Sequence, residues 1–238
     1  MRPKPAFLPS HVHWHSVKNS DQLANVISCH VTKILTQSLH NQSRVSLAVS
    51  GGNSPIATFK KLSVASLKWS NIDVTLVDER WVNTNHADSN EGLVRRYLLK
   101  GAAAKAKFIG LKNESLTAKE GQVSSHLALQ RLVQPLDVVM LGMGLDGHTG
   151  SLFPDCPELA KAMDGSQSLR CLATTPASAS HERMTLSYNT IMKAKHRVLH
   201  VSGAQKLAVL EAAMIAGDFF EMPIFAFLQH PLTLFWSP

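Results

Sequence analysis

The chain has 238 residues, 45% of them hydrophobic and 17% charged, which is enough apolar material for a sizeable core and too regular a balance for a disordered segment. Its 13 glycines and 11 prolines exclude collagen-like and low-complexity classes, and no apolar run reaches the roughly 18 residues of a membrane crossing. The net charge of +7 invites an anionic partner, but the basic residues are scattered, with only pairs such as Lys60-Lys61 and Arg95-Arg96, so a small phosphorylated ligand is favoured over nucleic acid.

In chain order, a strand is expected near 11–17. His11, His13 and His15 would share one face of it, which reads as an exposed strand face rather than a metal site. A helix over 20–40 follows, with Asp21 near its start. Then come a strand over 44–50, a helix over 54–66, a strand over 72–78 and a helix over 88–100. Thr117 stands near the start of a helix over 116–132, where its hydroxyl can accept from a free amide. A strand over 136–141 is followed by strands near 169–174 and 183–187. The chain continues with a strand over 196–202, a helix over 203–216 and a strand near 223–228, the strands near 183–187 and 223–228 being placed at an edge. The strands over 44–50, 72–78, 136–141 and 196–202 are nearly continuous valine- and leucine-rich runs, as expected where both faces are covered. Helices between them imply parallel crossovers and an α/β layered sheet, read as one domain spanning 1–238.

Each of those four strands runs directly into a polar, glycine-rich or charged cluster. In an open parallel sheet the strand carboxyl ends share one edge, and ligands bind there. Segments far apart in sequence should therefore converge on one crevice.

The first cluster, Ser50-Gly51-Gly52-Asn53-Ser54-Pro55, joins a strand to a helix. It can be an anion-cradling loop or an ordinary tight turn, and it lacks the Gly-Lys-Ser/Thr ending of a nucleotide P-loop. Gly142-x-Gly144-x-x-Gly147 matches the dinucleotide fingerprint in letters only. Asp146 would set a negative charge against the pyrophosphate, and Pro154 would interrupt the helix the fingerprint requires, so no nucleotide cofactor is expected. Asp146 and His148 flank Gly147 on this loop. A carboxylate beside a histidine can hold the tautomer that accepts a proton, which makes His148 a candidate general base. A solvated loop histidine is the bland alternative, and no further ligands stand close by for a metal.

Arg183 and Lys206 could each hold a phosphate, though residue type alone does not select them. The three cysteines, Cys29, Cys156 and Cys171, form no CxxC pair, so neither a disulfide framework nor a zinc ribbon is indicated, and nothing marks Cys156 as a nucleophile. The first residues lack the apolar core of a secretory signal, and a cytoplasmic location is the simplest expectation.

Taken together, LAVSGGNSP (47–55), VTLVDERWV (74–82), DSNEGLVRRYLL (88–99), LGMGLDGHTGSLFP (141–154), ERMTLSYNTI (182–191) and VSGAQK (201–206) resemble the 6-phosphogluconolactonase family. The most distinctive block is DGHTGSLFP, and the ending PLTLFWSP is similar to the family's last strand. The resemblance implies a Rossmann-like layered sandwich with a mainly parallel central sheet, the fold shared by sugar-phosphate isomerases and lactonases. It implies hydrolysis of a phosphorylated sugar lactone in the oxidative pentose phosphate pathway, by a carboxylic ester hydrolase without metal or cofactor. His148 would be the water-activating base with Asp146 nearby, and Asp78 and Arg80 would line the sugar end. Ser50, Gly51, Gly52, Asn53, Ser54, Arg183 and Lys206 would bind the phosphate. Asn83 and Gly150 stand where the family usually has proline and alanine, changes expected to be tolerated, and the stretch between 218 and 223 is shortened. A monomer or weak dimer is expected, with no nucleic-acid or membrane partner. Two rivals remain. An amino-sugar-phosphate deaminase would typically carry a glutamate soon after the histidine, and residues 149–155 contain none. A non-catalytic sugar-phosphate-binding module would not need the candidate base, which is intact.

Overall fold

The computed structural model describes residues 2–238. The first half of the chain lays down β1 (Val12–Ser16), α1 (Ser20–Asn41), β2 (Val45–Val49), α2 (Ile56–Leu62), β3 (Ile72–Leu76) and β4 (Asp78–Arg80). It continues through α3 (Asn90–Tyr97), β5 (Lys107–Ile109), α4 (Ala118–Leu129) and β6 (Val138–Leu141). The second half adds α5 (Leu159–Ala162), β7 (Cys171–Thr174), β8 (Arg183–Leu186), α6 (Tyr188–Met192) and β9 (His196–Ser202). The chain ends with α7 (Ala204–Ala216), α8 (Ile224–Leu228) and β10 (Leu232–Ser237).

Seven strands form one sheet in the order β1-β10-β9-β6-β2-β3-β5, and every pairing in it is parallel. β2, β3 and β6 are buried at every position, which is why their sequences are apolar runs rather than alternating patterns. Helices cover the sheet. On α1, Leu23, Ile27, Val31, Ile34 and Leu35 repeat at three- and four-residue steps and form the buried stripe. Asn19, rather than Asp21, caps α1 by accepting from the amide of Gln22. Thr117 caps α4 in a reciprocal pair with Glu120, as its position in the sequence suggests.

A second, antiparallel sheet, β4-β8-β7, stands at the carboxyl edge of the first. Two expectations change here. The run over 72–78 is not one strand: it leaves the main sheet after Leu76, and Asp78 begins a strand of the small sheet. The segment near 183–187 is a strand, but it is the middle of the small sheet and not an edge.

The segment near 223–228 is a helix and not a strand. Ile224, Phe227 and Leu228 are its buried positions, so a five-residue apolar run satisfies a helical face as well as a strand. The short connection before it folds back through Met222 N–H to the carbonyl of Asp218 at 2.9 Å. The Ile224 amide then donates to the carbonyl of Gly147 at 2.8 Å, fixing α8 to the histidine loop.

At the amino edge of the main sheet, the fully buried Asp137 accepts from the Ser46 amide at 2.8 Å, from Gln42 Nε2 at 2.5 Å and from Lys195 Nζ at 2.7 Å. Removing that carboxylate leaves a buried amide unpartnered and the Lys195 ammonium with only Gln42 Oε1, at 3.1 Å. Asp137→Ala should therefore destabilise the fold by about 2–3 kcal/mol. Urea unfolding is the measurement, and because Asp137 lies at the edge opposite the crevice, ligand affinity should stay at the wild-type level.

Candidate active site

The loops after β2, β6 and β9 and the start of β4 meet around a cavity of about 280 Å³. Its walls include Ser50, Gly51, Gly52, Asn53, Ser54, Asp78, Arg80, His148 and Lys206. Those nine are sequence-predicted site residues. The other two, Asp146 and Arg183, are not part of the lining: Asp146 holds His148 from behind, and Arg183 lies opposite Arg80 across the β4–β8 ladder.

The 50–55 loop is held at its base by two contacts. The Ser50 amide donates to the carbonyl of Met140 at 3.0 Å, and the Gly142 amide donates to Ser50 Oγ at 3.3 Å. Gly51 is required by close approach, since a Cβ there would fall 1.9 Å from Asn90 Oδ1. Lys206, in the first turn of α7, faces this loop across the cavity. It is half-buried and has no ion-pair partner among the described residues. Burial holds its ammonium below the ordinary lysine value, which a bound anion would reverse.

His148 Nδ1 lies 2.5 Å from Asp146 Oδ1, and the His148 amide donates to the same oxygen at 3.2 Å. With Nδ1–H donated to the carboxylate, Nε2 keeps its lone pair and can accept a proton. Burial works to raise the Asp146 carboxyl, but the hydrogen bond and charge of His148 outweigh it and hold Asp146 below the usual carboxylate range. The imidazole stacks on Phe153 with centroids 3.9 Å apart. Gly144 is the floor of this arrangement, because a Cβ there would stand 2.3 Å from His148 Nδ1 and 2.5 Å from Asp146 Oδ1.

The small sheet supplies the remaining wall. Asp78 is buried and accepts from Ser151 Oγ at 2.7 Å. Glu79 points the other way, as alternation along a strand requires. Its fully buried carboxylate accepts from the amides of Arg80, Asn90 and Glu91 at 2.7–2.8 Å and from Ser89 Oγ at 3.1 Å. Burial pushes this carboxyl up to about 7 against the pull of those three amides, with the Asp78 charge adding to the rise. Glu79 thus ties the start of α3 to β4 and sets Asn90, whose amide donates to the carbonyl of Asp78 at 2.8 Å, into the cavity wall.

Arg80 donates through Nη1 to the carbonyl of Asp88 at 2.5 Å, while its Nε has no partner. Arg183, only 8% exposed, likewise has a buried Nε without a partner. Burial, then the neighbouring charge of Arg80, lowers the Arg183 guanidinium, with Asp78, Asp88 and Glu79 opposing. Two guanidiniums facing each other with unused donors favour an anionic or carbonyl oxygen between them.

Three residues of the site were not picked from sequence: Glu79, Asn90 and His200. His200 lines the cavity from β9, a polar residue within the buried run Val198–Val201, which is the signal that could have marked it. Glu79 lies between two chosen residues of the DER triplet. Asn90 follows the α3 cap Ser89, a position that sequence reads as structural.

A family model described as glucosamine-6-phosphate isomerases/6-phosphogluconolactonase matches residues 18–236. The chain belongs to that family. Among curated relatives, a 6-phosphogluconolactonase of Pseudomonas aeruginosa is 44% identical over 231 residues, covering 97% of each chain. One of Neisseria meningitidis is 42% identical over 219 residues, covering 91% of this chain and 94% of the other. The crystal structure of a 6-phosphogluconolactonase from Shewanella baltica superposes with a TM-score of 0.94 at 38% identity, over 97% of this chain and 100% of that one. The layered α/β fold inferred from the family's motifs is the one observed. No helix among the described residues is long and apolar enough to cross a membrane.

Burial, then the neighbouring Lys206 charge, lowers His200 to about 4 from an ordinary 6.5. The folded chain therefore resists a proton that the unfolded chain accepts. The stability tied to His200 is complete above pH 6.5 and is lost as pH falls toward about 4. His200→Gln should lose less stability than the wild type across that interval. Urea midpoints at the two ends measure it, and superimposable profiles would contradict the burial account.

Proposed function

We propose that the chain hydrolyses the ring ester of 6-phospho-D-glucono-1,5-lactone to 6-phosphogluconate, with a water activated by His148. The reading is carried by one observation: His148, backed by Asp146, and the half-buried Lys206, with no counter-ion among the described residues, line one cavity. The family and the lactonase relatives supply the substrate class.

In this mechanism the sugar phosphate lies against the 50–54 loop and Lys206, with Arg183 adding positive charge from the second sheet. Placement of the phosphate fixes the reacting carbon and contributes through orientation. His148 Nε2 takes a proton from water as the water oxygen attacks the C1 carbonyl. The new oxyanion is met by a donor such as the unused Nε of Arg80 or a loop amide. Collapse of the tetrahedral intermediate breaks the bond from C1 to the ring oxygen, which leaves with the proton returned by the His148 imidazolium. Asp146 keeps the imidazole in one tautomer and stabilises its charged form, and Asp78, held by Ser151, shapes the sugar end. A lactone is already an activated ester, so a base and positioning suffice without a covalent nucleophile. Cys156 and Cys171 suit that scheme: burial, reinforced at Cys156 by its contact with Glu158, raises their thiols to about 11 and about 12, far from a reactive thiolate. All three cysteines are unpaired, which fits a reducing, cytoplasmic setting.

Proton release from freshly made lactone, corrected for spontaneous opening, tests the assignment. His148→Ala should lower kcat by about a hundredfold or more while 6-phosphogluconate still binds. Near-normal turnover in that variant would remove His148 from the role. Lys206→Ala should mainly raise KM, because it removes binding that ground state and transition state share. An unchanged KM would assign the phosphate elsewhere, and ammonia release from glucosamine 6-phosphate would favour the deaminase reading.

A further inference from the structure

Outside the cavity, the fold brings together three side chains that sequence keeps far apart. His86 and Asp88 lie in the loop before α3, and His181 lies just before β8. One ligand atom from each falls within 4.8 Å of the others. His181 Nε2 is 3.0 Å from Asp88 Oδ2, and His86 Nδ1 is 3.7 Å from the same oxygen. The two imidazoles meet edge to face, with centroids 5.5 Å apart. None of the three lines the cavity, so the cluster is separate from the hydrolytic groups.

We propose that His86, Asp88 and His181 form a binding site for a zinc-class divalent ion at the rim of the crevice. Bond lengths of about 2.0–2.1 Å around a tetrahedral ion put neighbouring ligand atoms roughly 3.3 Å apart, and the two measured separations bracket that value. Two imidazoles and one carboxylate suit zinc, cobalt or nickel and not magnesium or calcium, which prefer all-oxygen shells.

The protonation states are nearly set. The Asp88 amide donates to His86 Nδ1 at 3.1 Å, so that nitrogen carries its lone pair inward, and the ion takes it in exchange for this one backbone bond. At His181 the ion replaces the proton that Nε2 shares with Asp88. Asp88 Oδ2 already lies between the two imidazole nitrogens, so the carboxylate is placed to ligate. The positive charge of Arg80, held through the Asp88 carbonyl, opposes the cation and weakens the site. The fourth position is left to water.

The consequence is mechanical. The ion joins the loop that carries Asp88 to the strand that carries Arg183. Arg80 hangs from the Asp88 carbonyl, so the ion braces both guanidiniums without touching the reacting atoms.

Titration of the full chain with Zn²⁺ by calorimetry, together with Co²⁺ absorption and thermal melting, tests this. The wild type should bind one ion per chain at this site, raise Tm with Zn²⁺ but not with Mg²⁺, and give the intense visible absorption of four-coordinate Co²⁺. His86→Ala, at an exposed position, and His181→Ala, at a half-buried one, should each weaken binding by about tenfold or more and lose the tetrahedral cobalt signal. A His13→Ala/His15→Ala variant, which removes exposed histidines of β1, should bind as the wild type does. Absence of zinc binding by the wild type overturns the proposal. So does binding that survives in the His86→Ala/His181→Ala double variant, or that the β1 variant abolishes.

Discussion

Val77 is the residue on which the rest of the architecture turns. Its amide donates to the carbonyl of Val49 in the main sheet at 2.9 Å, and its carbonyl accepts from Leu186 of the small sheet at 2.8 Å. The chain therefore changes sheets within one residue, without leaving a backbone group unpaired in the core. Everything after that switch is placed by it. Asp78 and Arg80 reach the crevice because the small sheet stands over the carboxyl edge of the large one. Glu79, on the opposite face of the same strand, grips the start of α3. A parallel sheet alone supplies an edge where loops gather, and the second sheet makes that edge into a walled cavity.

The two ends of the main sheet handle buried charge in opposite ways. At the amino edge Asp137 is surrounded by donors, and its neighbourhood is closed. At the carboxyl edge buried guanidinium donors go unmet. Among the described residues, five buried side-chain atoms lack a partner, and three of them belong to Arg80, Arg183 and His200. Each unmet donor or acceptor costs on the order of 1–3 kcal/mol in a dry interior, so such groups persist only where another constraint requires them. An anionic ligand with several acceptor oxygens, as in the proposed reaction, would be that constraint. The same reasoning separates Glu79 from its neighbours, since its four donors make it a fully engaged anchor.

Much of this was legible in the sequence, for reasons that differ by element. The strands β2, β3, β6 and β9 announce themselves as apolar runs because both faces of a parallel sheet are covered, and their loops could be assigned to one edge from that alone. The switch at Val77 was hidden, because a valine between two strands looks the same whether the sheet continues or changes. β5, with three residues and only one of them buried, carries too little pattern to detect. The five-residue run of α8 reads as a strand in sequence, since length and apolarity do not separate strand from helix at that size. Among site residues, His148 and Lys206 follow strands and were accessible to pattern. Asn90 and Glu79 act through contacts across ten or more residues, and the His86–Asp88–His181 cluster bridges 93 residues, which spacing rules do not reach.

The glycine spacing Gly142-x-Gly144-x-x-Gly147 shows why a motif has to be read through the atoms around it. In a dinucleotide loop the glycines leave room for a phosphate to approach the backbone. Here the space over Gly144 is filled by the chain itself, with His148 and Asp146 packed where a Cβ would stand. Gly147 lies against Met222 and accepts from Ile224, so the loop is braced from the α8 side as well. The same letters therefore build a rigid seat for an imidazole instead of an open cradle for pyrophosphate. In the proposed mechanism His148 is the single base, so the rate would depend on holding one nitrogen in place, and a loop packed from both sides favours that.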